Sequence, residues 1–249
     1  MIRLHLLGSL RLHGRGDKKT RRLLRRRKSL GVLAYLAANE PRGFCERDEL
    51  LALFWPEIDD VRARRSLRKT VYRLRKDLGS DTVASRGRNQ IGLSERALWC
   101  DVPAFRAALE AERPKEALGL YCGDLMPAFH LSGLRRFERW LEATRHELRA
   151  RAAEASWRLA SDDIGRPHGQ EEAVRWARRA WELSSPYDEA AIRRYVEILD
   201  KSGCRAEALA AYAEFKVRLS DELDVAPSPE TARCVAKVRQ RKKARQNVQ

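Results

Sequence analysis

Val61-Arg62-Ala63-Arg64-Arg65-Ser66-Leu67-Arg68-Lys69-Thr70-Val71-Tyr72-Arg73-Leu74-Arg75-Lys76-Asp77-Leu78 is the stretch whose pattern decides the fold. At about 100° per residue, Ala63, Leu67, Val71, Leu74 and Leu78 fall on one side, with Thr70 at its margin. They form a single apolar stripe of a helix packed on a core. The opposite side carries Arg62, Arg65, Lys69, Tyr72, Arg73 and Lys76, with Arg64, Arg68 and Arg75 on the flanks. Asp77, in the last turn, is the one acid of the stretch. Asp59-Asp60 offers an N-cap and Gly79 a stop.

That charge pattern is costly for a plain solvated helix. Surface helices gain from opposite charges four residues apart, whereas here like charges stack at that spacing. A polyanion would offset the repulsion. The major groove of double-stranded DNA admits one α-helix and places phosphates on both sides of it. On this reading Arg62, Arg65 and Lys69, in the first turns, reach base edges. Arg68, Tyr72, Arg73 and Lys76 complete the DNA-facing set, the last three on the backbone.

Working outward, Arg47–Phe54 reads as a shorter helix with Leu50, Leu51 and Phe54 inward, closed by Trp55-Pro56. Two helices so connected make a helix-turn-helix. Downstream, Thr82–Arg86 and Gln90–Leu93 flank Gly87-Arg88-Asn89 as strand, turn and strand. With Arg86, Arg88 and Asn89 at its tip, this hairpin is a candidate wing on DNA. Upstream, Arg27–Asn39 reads as a helix, and the basic run Lys18 to Lys28 as a loop leading into it. Ile2–Leu7 and Ser9–His13 read as a hairpin about Gly8. Ala97–Cys100 is one more short strand. The first hundred residues are therefore expected to be an α+β winged helix-turn-helix that binds DNA on its own.

The charge distribution agrees. Of a net +16, residues 1–100 hold 24 Lys and Arg against 11 Asp and Glu, and the remainder holds 27 against 24. Sorting of this kind points a basic half at a polyanion and leaves the rest nearly neutral. No apolar run approaches the roughly 20 residues of a spanning helix. The opening residues lack a secretory leader, so no membrane role and a cytoplasmic location are expected. Five scattered cysteines without a Cys-x-x-Cys pair speak against a disulfide framework or a metal site. Phosphate-loop, zinc-protease and nucleophile-elbow motifs are missing, so neither an enzyme nor a bound cofactor is expected. Aromatic content is 7%, and Tyr72 is the one aromatic of the basic stripe, which disfavours an RNA reader built on stacking.

From Asp101 onward the strand signals stop. Val102–Leu109, Pro114–Tyr121, about 133–160, Glu171–Leu183, Asp188–Lys201 and Ala206–Leu219 read as helices. Glu172-Ala173-Val174 and Glu207-Ala208-Leu209 start two of them 35 positions apart, close to the tetratricopeptide period. Trp140, Trp157, Trp176 and Trp181 fall inside helices as core residues. Lys237 to Arg245 carries six bases and no acid, and is expected to be frayed. The expected organisation is residues 1–100 winged helix-turn-helix, 101–236 all-α tetratricopeptide-like repeats, and 237–249 a flexible basic tail.

Several of these stretches resemble one family. Leu53-Phe54-Trp55-Pro56, Ser66-Leu67 and Arg73-Leu74-Arg75-Lys76-Asp77-Leu78-Gly79 are similar to the OmpR-like DNA-binding domain of the Streptomyces antibiotic regulatory proteins. Trp99-Cys100-Asp101-Val102 and Phe105 resemble that family's junction into its second domain. Tyr121, Gly123-Asp124-Leu125-Met126-Pro127 and Trp140-Leu141 resemble the start of the bacterial transcriptional activation domain. Asp221-Glu222-Leu223 and Ala226-Pro227-Ser228-Pro229-Glu230-Thr231 resemble its end. Phe54 stands where leucine is more usual, and Gln90-Ile91-Gly92-Leu93 lacks the common wing tyrosine. The resemblance implies a transcriptional regulator, usually an activator. Such a protein binds promoter-proximal repeats, contacts RNA polymerase and can pair with itself on DNA. A repressor with the same DNA-binding domain, an RNA-binding protein and a helical-repeat scaffold are the rival readings.

Overall fold

The computed structural model describes residues 1–14, 16–40 and 43–246. Strands β1 (Ile2–His5) and β2 (Arg11–His13) form the expected antiparallel hairpin. Helix α1 (Asp17–Arg25) follows where a loop was expected. Among its described side chains Leu23 is the one deep anchor, 1% exposed. The rest of its hold is electrostatic: Arg22 and Arg26 both pair with the buried Asp77, Arg26 at 3.0 Å. One leucine and a distant carboxylate leave no periodic signal, so the helix was invisible to pattern reading.

Helices α2 (Arg27–Ala38) and α3 (Arg47–Phe54) match their expected bounds closely. Between them lies β3 (Phe44–Glu46), which no sequence pattern announced. Helix α4 (Asp60–Leu78) starts at Asp59, whose side chain accepts from the Arg62 N–H at 2.9 Å. It stops at Gly79, where φ is +117°, a conformation that favours glycine. Ala63, Leu67, Thr70, Val71, Leu74 and Leu78 are all buried, as the stripe requires. Strands β4 (Val83–Arg86) and β5 (Gln90–Leu93) make the expected hairpin, turning at Gly87. Strand β3 joins it in the order β3-β5-β4. Strand β6 (Leu98–Cys100) runs parallel to β1 and closes the first sheet as β2-β1-β6.

Asp101 opens α5 (Asp101–Glu110) and is 2% exposed. Its carboxylate accepts from the Leu6 N–H at 2.9 Å and the Leu7 N–H at 3.0 Å, pinning β1 to the start of α5. Burial pushes this carboxyl above its ordinary range, while the two backbone donors pull against that rise. Helix α6 (Pro114–Leu120) follows, and then the long α7 (Arg135–Ile164).

The chain divides into two compact units, Met1–Leu148 and Arg149–Gln249, the division falling within α7. The core of the first unit draws heavily on residues beyond 100. Phe54 of α3 lies 5.1 Å from the Phe137 ring, and Tyr35 of α2 lies 4.7 Å from Trp140. Trp140 donates to the Asn39 side-chain oxygen at 3.0 Å. A Cβ on Gly31 would lie 2.8 Å from a Leu131 methyl and 3.1 Å from the Phe54 ring. Arg106 of α5, itself buried, donates to the Ala38 carbonyl at 2.6 Å and pairs with Glu147 at 2.8 Å. The winged helix is thus completed by side chains from 106 to 147. The compact unit accordingly ends at Leu148, beyond the expected boundary at residue 100.

The second unit contains α8 (Gln170–Leu183), α9 (Glu189–Lys201), α10 (Arg205–Leu223) and α11 (Pro229–Gln246). Small alanines on α8 and α10 let the helices approach around Trp157, Ile192, Tyr195 and Phe215. The Trp181 and Tyr195 rings stack at 6.0 Å, 9° from parallel. Trp157 is fully in the core, while Trp140, Trp176 and Trp181 are half-buried against theirs. Val235 and Val238 anchor α11, so the backbone stays helical through the basic run that was expected to fray. Residues 247–249 of that tail lie outside those described. No helix among the described residues is long and apolar enough to cross a membrane.

Candidate nucleic-acid interface

The apolar stripe of α4 turns its other side to solvent. Arg62, Arg65, Arg68, Lys69, Tyr72 and Lys76 are exposed there, and Arg73 is half-buried at the edge. Their charges are unequal in availability. Arg62 pairs with the capping Asp59 at 3.2 Å. Arg64 is held by Asp60 at 2.8 Å and Asp48 at 3.0 Å, which ties the start of α4 to α3. Arg65, Arg68, Lys69, Arg73 and Lys76 have no ion-pair partner among the described residues. Asp77 could have partly neutralised this surface, but it points inward to Arg22 and Arg26. Beyond the paired Arg62 and Arg64, the exposed face therefore keeps its positive charge uncompensated among the described residues. Arg47 registers that field: burial, then Arg75 and Arg68 nearby, depress its pKa below the usual arginine value.

The hairpin β4–β5 is fastened beside this helix. Arg75 donates through Nε to the Val83 carbonyl at 3.0 Å and through Nη2 to the Ser85 hydroxyl at 3.2 Å. The Arg47 N–H donates to the Asn89 carbonyl at 2.7 Å, holding the turn from the α3 side. At the tip, Arg86, Arg88 and Asn89 are exposed. The Arg86 guanidinium stacks over the Phe44 ring of β3 at 4.3 Å, which narrows its reach. Arg88 carries no such tether among the described residues.

A second basic surface went unread in the sequence. Arg26, Arg27 and Lys28 at the start of α2, with Trp55 after α3, line a recess together with Ser66, Lys69 and Arg73 of α4. Lys28 sits 5.6 Å from the centre of the Trp55 ring, and burial lowers its pKa. Arg27 is steadied by the His130 carbonyl at 2.9 Å. The clue was available. Arg26 at the cap and Arg27 and Lys28 in the first turn oppose the positive end of the helix dipole, and an anion at that end would reconcile them.

Comparison with known proteins gives the family of the C-terminal part. Residues 102–239 match the family described as bacterial transcriptional activator domain, more than half of the chain. The chain belongs to that family. That membership supports a transcriptional regulator of the Streptomyces antibiotic regulatory protein type. Among curated proteins, the regulatory protein AfsR of Streptomyces griseus is 29% identical over 202 residues. That match covers 74% of this chain and 19% of AfsR, so the chain spans about a fifth of that relative's length. Among solved structures, Mycobacterium tuberculosis EmbR, in complex with a low-affinity phosphopeptide, superposes with a TM-score of 0.60 at 21% identity. It covers 96% of this chain and 65% of EmbR, and shows a shared fold. The family's winged helix-turn-helix and tetratricopeptide-like activator domain are both present here.

Proposed function

We propose that this activator-family chain is a sequence-specific double-stranded-DNA-binding protein that docks α4 in the major groove. The observation that carries the reading is the α4 surface: Arg65, Arg68, Lys69, Arg73 and Lys76 lie outside without an ion-pair partner among the described residues, while Asp77 is buried. Arg65 and Arg62, near the N-terminal end, are the base readers, because a guanidinium pairs with guanine O6 and N7 together. Lys69 joins them one turn on. Arg68, Tyr72, Arg73 and Lys76 follow the flanking backbone. Arg88, with Asn89 and Arg86, lies along the adjacent minor groove. The recess of Arg26, Arg27 and Lys28 supports a further backbone phosphate.

The helical-repeat domain offers stacked helix pairs, a surface suited to protein contact. RNA polymerase is the partner this reading assigns to it, in the cytoplasm, with pairing between copies on repeated sites. The functional division remains residues 1–100 for DNA, 101–236 for activation and 237–249 as a basic tail, although the folding units divide elsewhere.

Selection of bound fragments from the source genome near physiological salt tests the proposal. A preference of ~10³-fold or more over scrambled DNA is expected, with repeated motifs upstream of genes. A ratio near one with a steep salt slope would leave only a basic surface and favour an RNA-binding or scaffold role.

A further inference from the structure

The DNA-facing side of α4 also carries an apolar group that charge-based reading passed over. Among the described residues of the first unit, the exposed large hydrophobic residues are Met1, Ile58, Val61 and Tyr72. Three of these four lie on α4 or in the turn entering it. Val61 is 75% exposed, the most of the four. It occupies the first turn, and Val61, Arg65, Arg68 and Tyr72 follow i, i+4, i+7 and i+11. They form one stripe on the exposed side, between Arg62, Lys69 and Lys76 and the flank of Arg64 and Arg75. Scattered apolar residues on a surface call for no explanation, but a valine in the first turn of a helix whose exposed residues are, Tyr72 apart, otherwise charged does.

We infer that Val61 reads the C5-methyl group of a thymine in the major groove. The inference rests on the docking of α4 proposed above. In helix-turn-helix proteins the first turns of the recognition helix are the part that meets base edges. Thymine presents the one apolar group there, and small apolar side chains pack on it. Valine suits the task because a β-branched side chain in a helix is held almost wholly in one χ1 rotamer, so its methyls lose little freedom on contact. Asp59 and Asp60 flank it and would repel phosphate. Both are engaged, Asp59 by Arg62 at 3.2 Å and Asp60 by Arg64 at 2.8 Å. In the free chain the capping charge is therefore offset, and Asp59 keeps its bond to the Arg62 N–H at 2.9 Å when the guanidinium turns to a base. Arg65, one turn along the stripe, would read the neighbouring base pair, so a thymine beside a guanine is the expected step.

The test uses the full chain and the duplex recovered in the genomic selection. Each thymine is replaced in turn by deoxyuridine, which removes the methyl and nothing else. The native chain should lose roughly four-fold affinity at one thymine per bound site, the equivalent of one buried methyl. Val61→Ala should lose a similar factor on the native duplex and become indifferent to uracil at that position, a coupling seen in the double-substitution cycle. The residue is exposed and alanine favours helix, so folding is not at risk. A valine-to-alanine change that leaves the thymine-to-uracil penalty intact at every position overturns the inference while DNA binding stands. A chain that selects no duplex over scrambled DNA overturns both readings together.

Discussion

Arg75 of α4 donates through Nε to the Val83 carbonyl of β4 at 3.0 Å, so α4 itself holds the β4–β5 hairpin. The same guanidinium reaches the Ser85 hydroxyl at 3.2 Å. A base on the flank of α4 is thus spent on geometry, while its neighbours remain free for a ligand.

Arg75→Ala should loosen the wing without unfolding the unit, because Val83 and Ile91 still hold β4 and β5 in the core. Each lost hydrogen bond contributes about 0.5–1.5 kcal/mol, so specific DNA affinity should fall by about 1–2 kcal/mol. Hydroxyl-radical footprinting should show lost protection on one side of the site. Unchanged affinity and footprint would mean that the wing is placed by something other than α4.

Arg65→Ala and Arg88→Ala should separate base reading from backbone contact. The first is expected to cost about 1–3 kcal/mol and to relax preference at one position. The second should weaken all sequences alike and reduce the salt slope by about 1. Affinities measured across a salt series on specific and scrambled duplexes distinguish the two patterns. If Arg65→Ala binds both duplexes as the native chain does, α4 is not the reader.

A fragment of residues 1–148 should melt cooperatively and bind DNA, whereas 1–100 should do neither. The shorter piece loses Phe129, Leu131, Phe137 and Leu141, all buried in the unit that contains Phe54. Removing a single buried aromatic side chain commonly costs about 3–5 kcal/mol, a large part of a domain's stability. Circular dichroism melts of both fragments check this. A stable, DNA-binding 1–100 would show that the α7 aromatics are dispensable.

Asp77→Ala should detach α1 before it disturbs α4. Arg22 and Arg26 would lose their shared carboxylate and return to water, and about 1–3 kcal/mol of stability should go with the buried bonds. Urea unfolding gives the total. Hydrogen exchange should place the loss in Asp17–Arg25, and protection unchanged in that helix would contradict its anchoring by Asp77.

Glu189 supplies a pH dependence in the second unit. Burial raises the carboxyl pKa, but the Ser228 hydroxyl, the Thr231 hydroxyl, the Ser228 N–H and Arg193 together hold it below the ordinary 4.5. A folded-state pKa below the unfolded one stabilises the fold above the unfolded value. That contribution fades as pH falls through the depressed folded value. Glu189→Gln should therefore melt below the native chain at pH 7, with the gap closing under pH 4.5. A gap that stays constant across this range would rule out a role for the ionised carboxylate.

Much of the fold could be read directly from the chain because the signals were local. The stripe of α4, its Asp59 cap and its Gly79 stop all lie within one helix, where neighbours three and four residues apart dictate burial. The bounds of α3 and β5 followed from the same short-range rules. The basic face of α4 followed too, since charge survives whatever the chain packs against. Contacts across long separations decided the rest. Asp77 turns inward because Arg26, 51 residues away, meets it, and α1 exists on the strength of that meeting. Arg64 and Arg75 look like Arg65 on paper; Asp48 and Val83 set them apart by binding the first two and leaving the third free. The N-terminal unit closes at Leu148 because its aromatic core needs Phe137 and Trp140. Periodicity tells a residue which side to bury. Which distant partner waits there is settled only when the chain has folded.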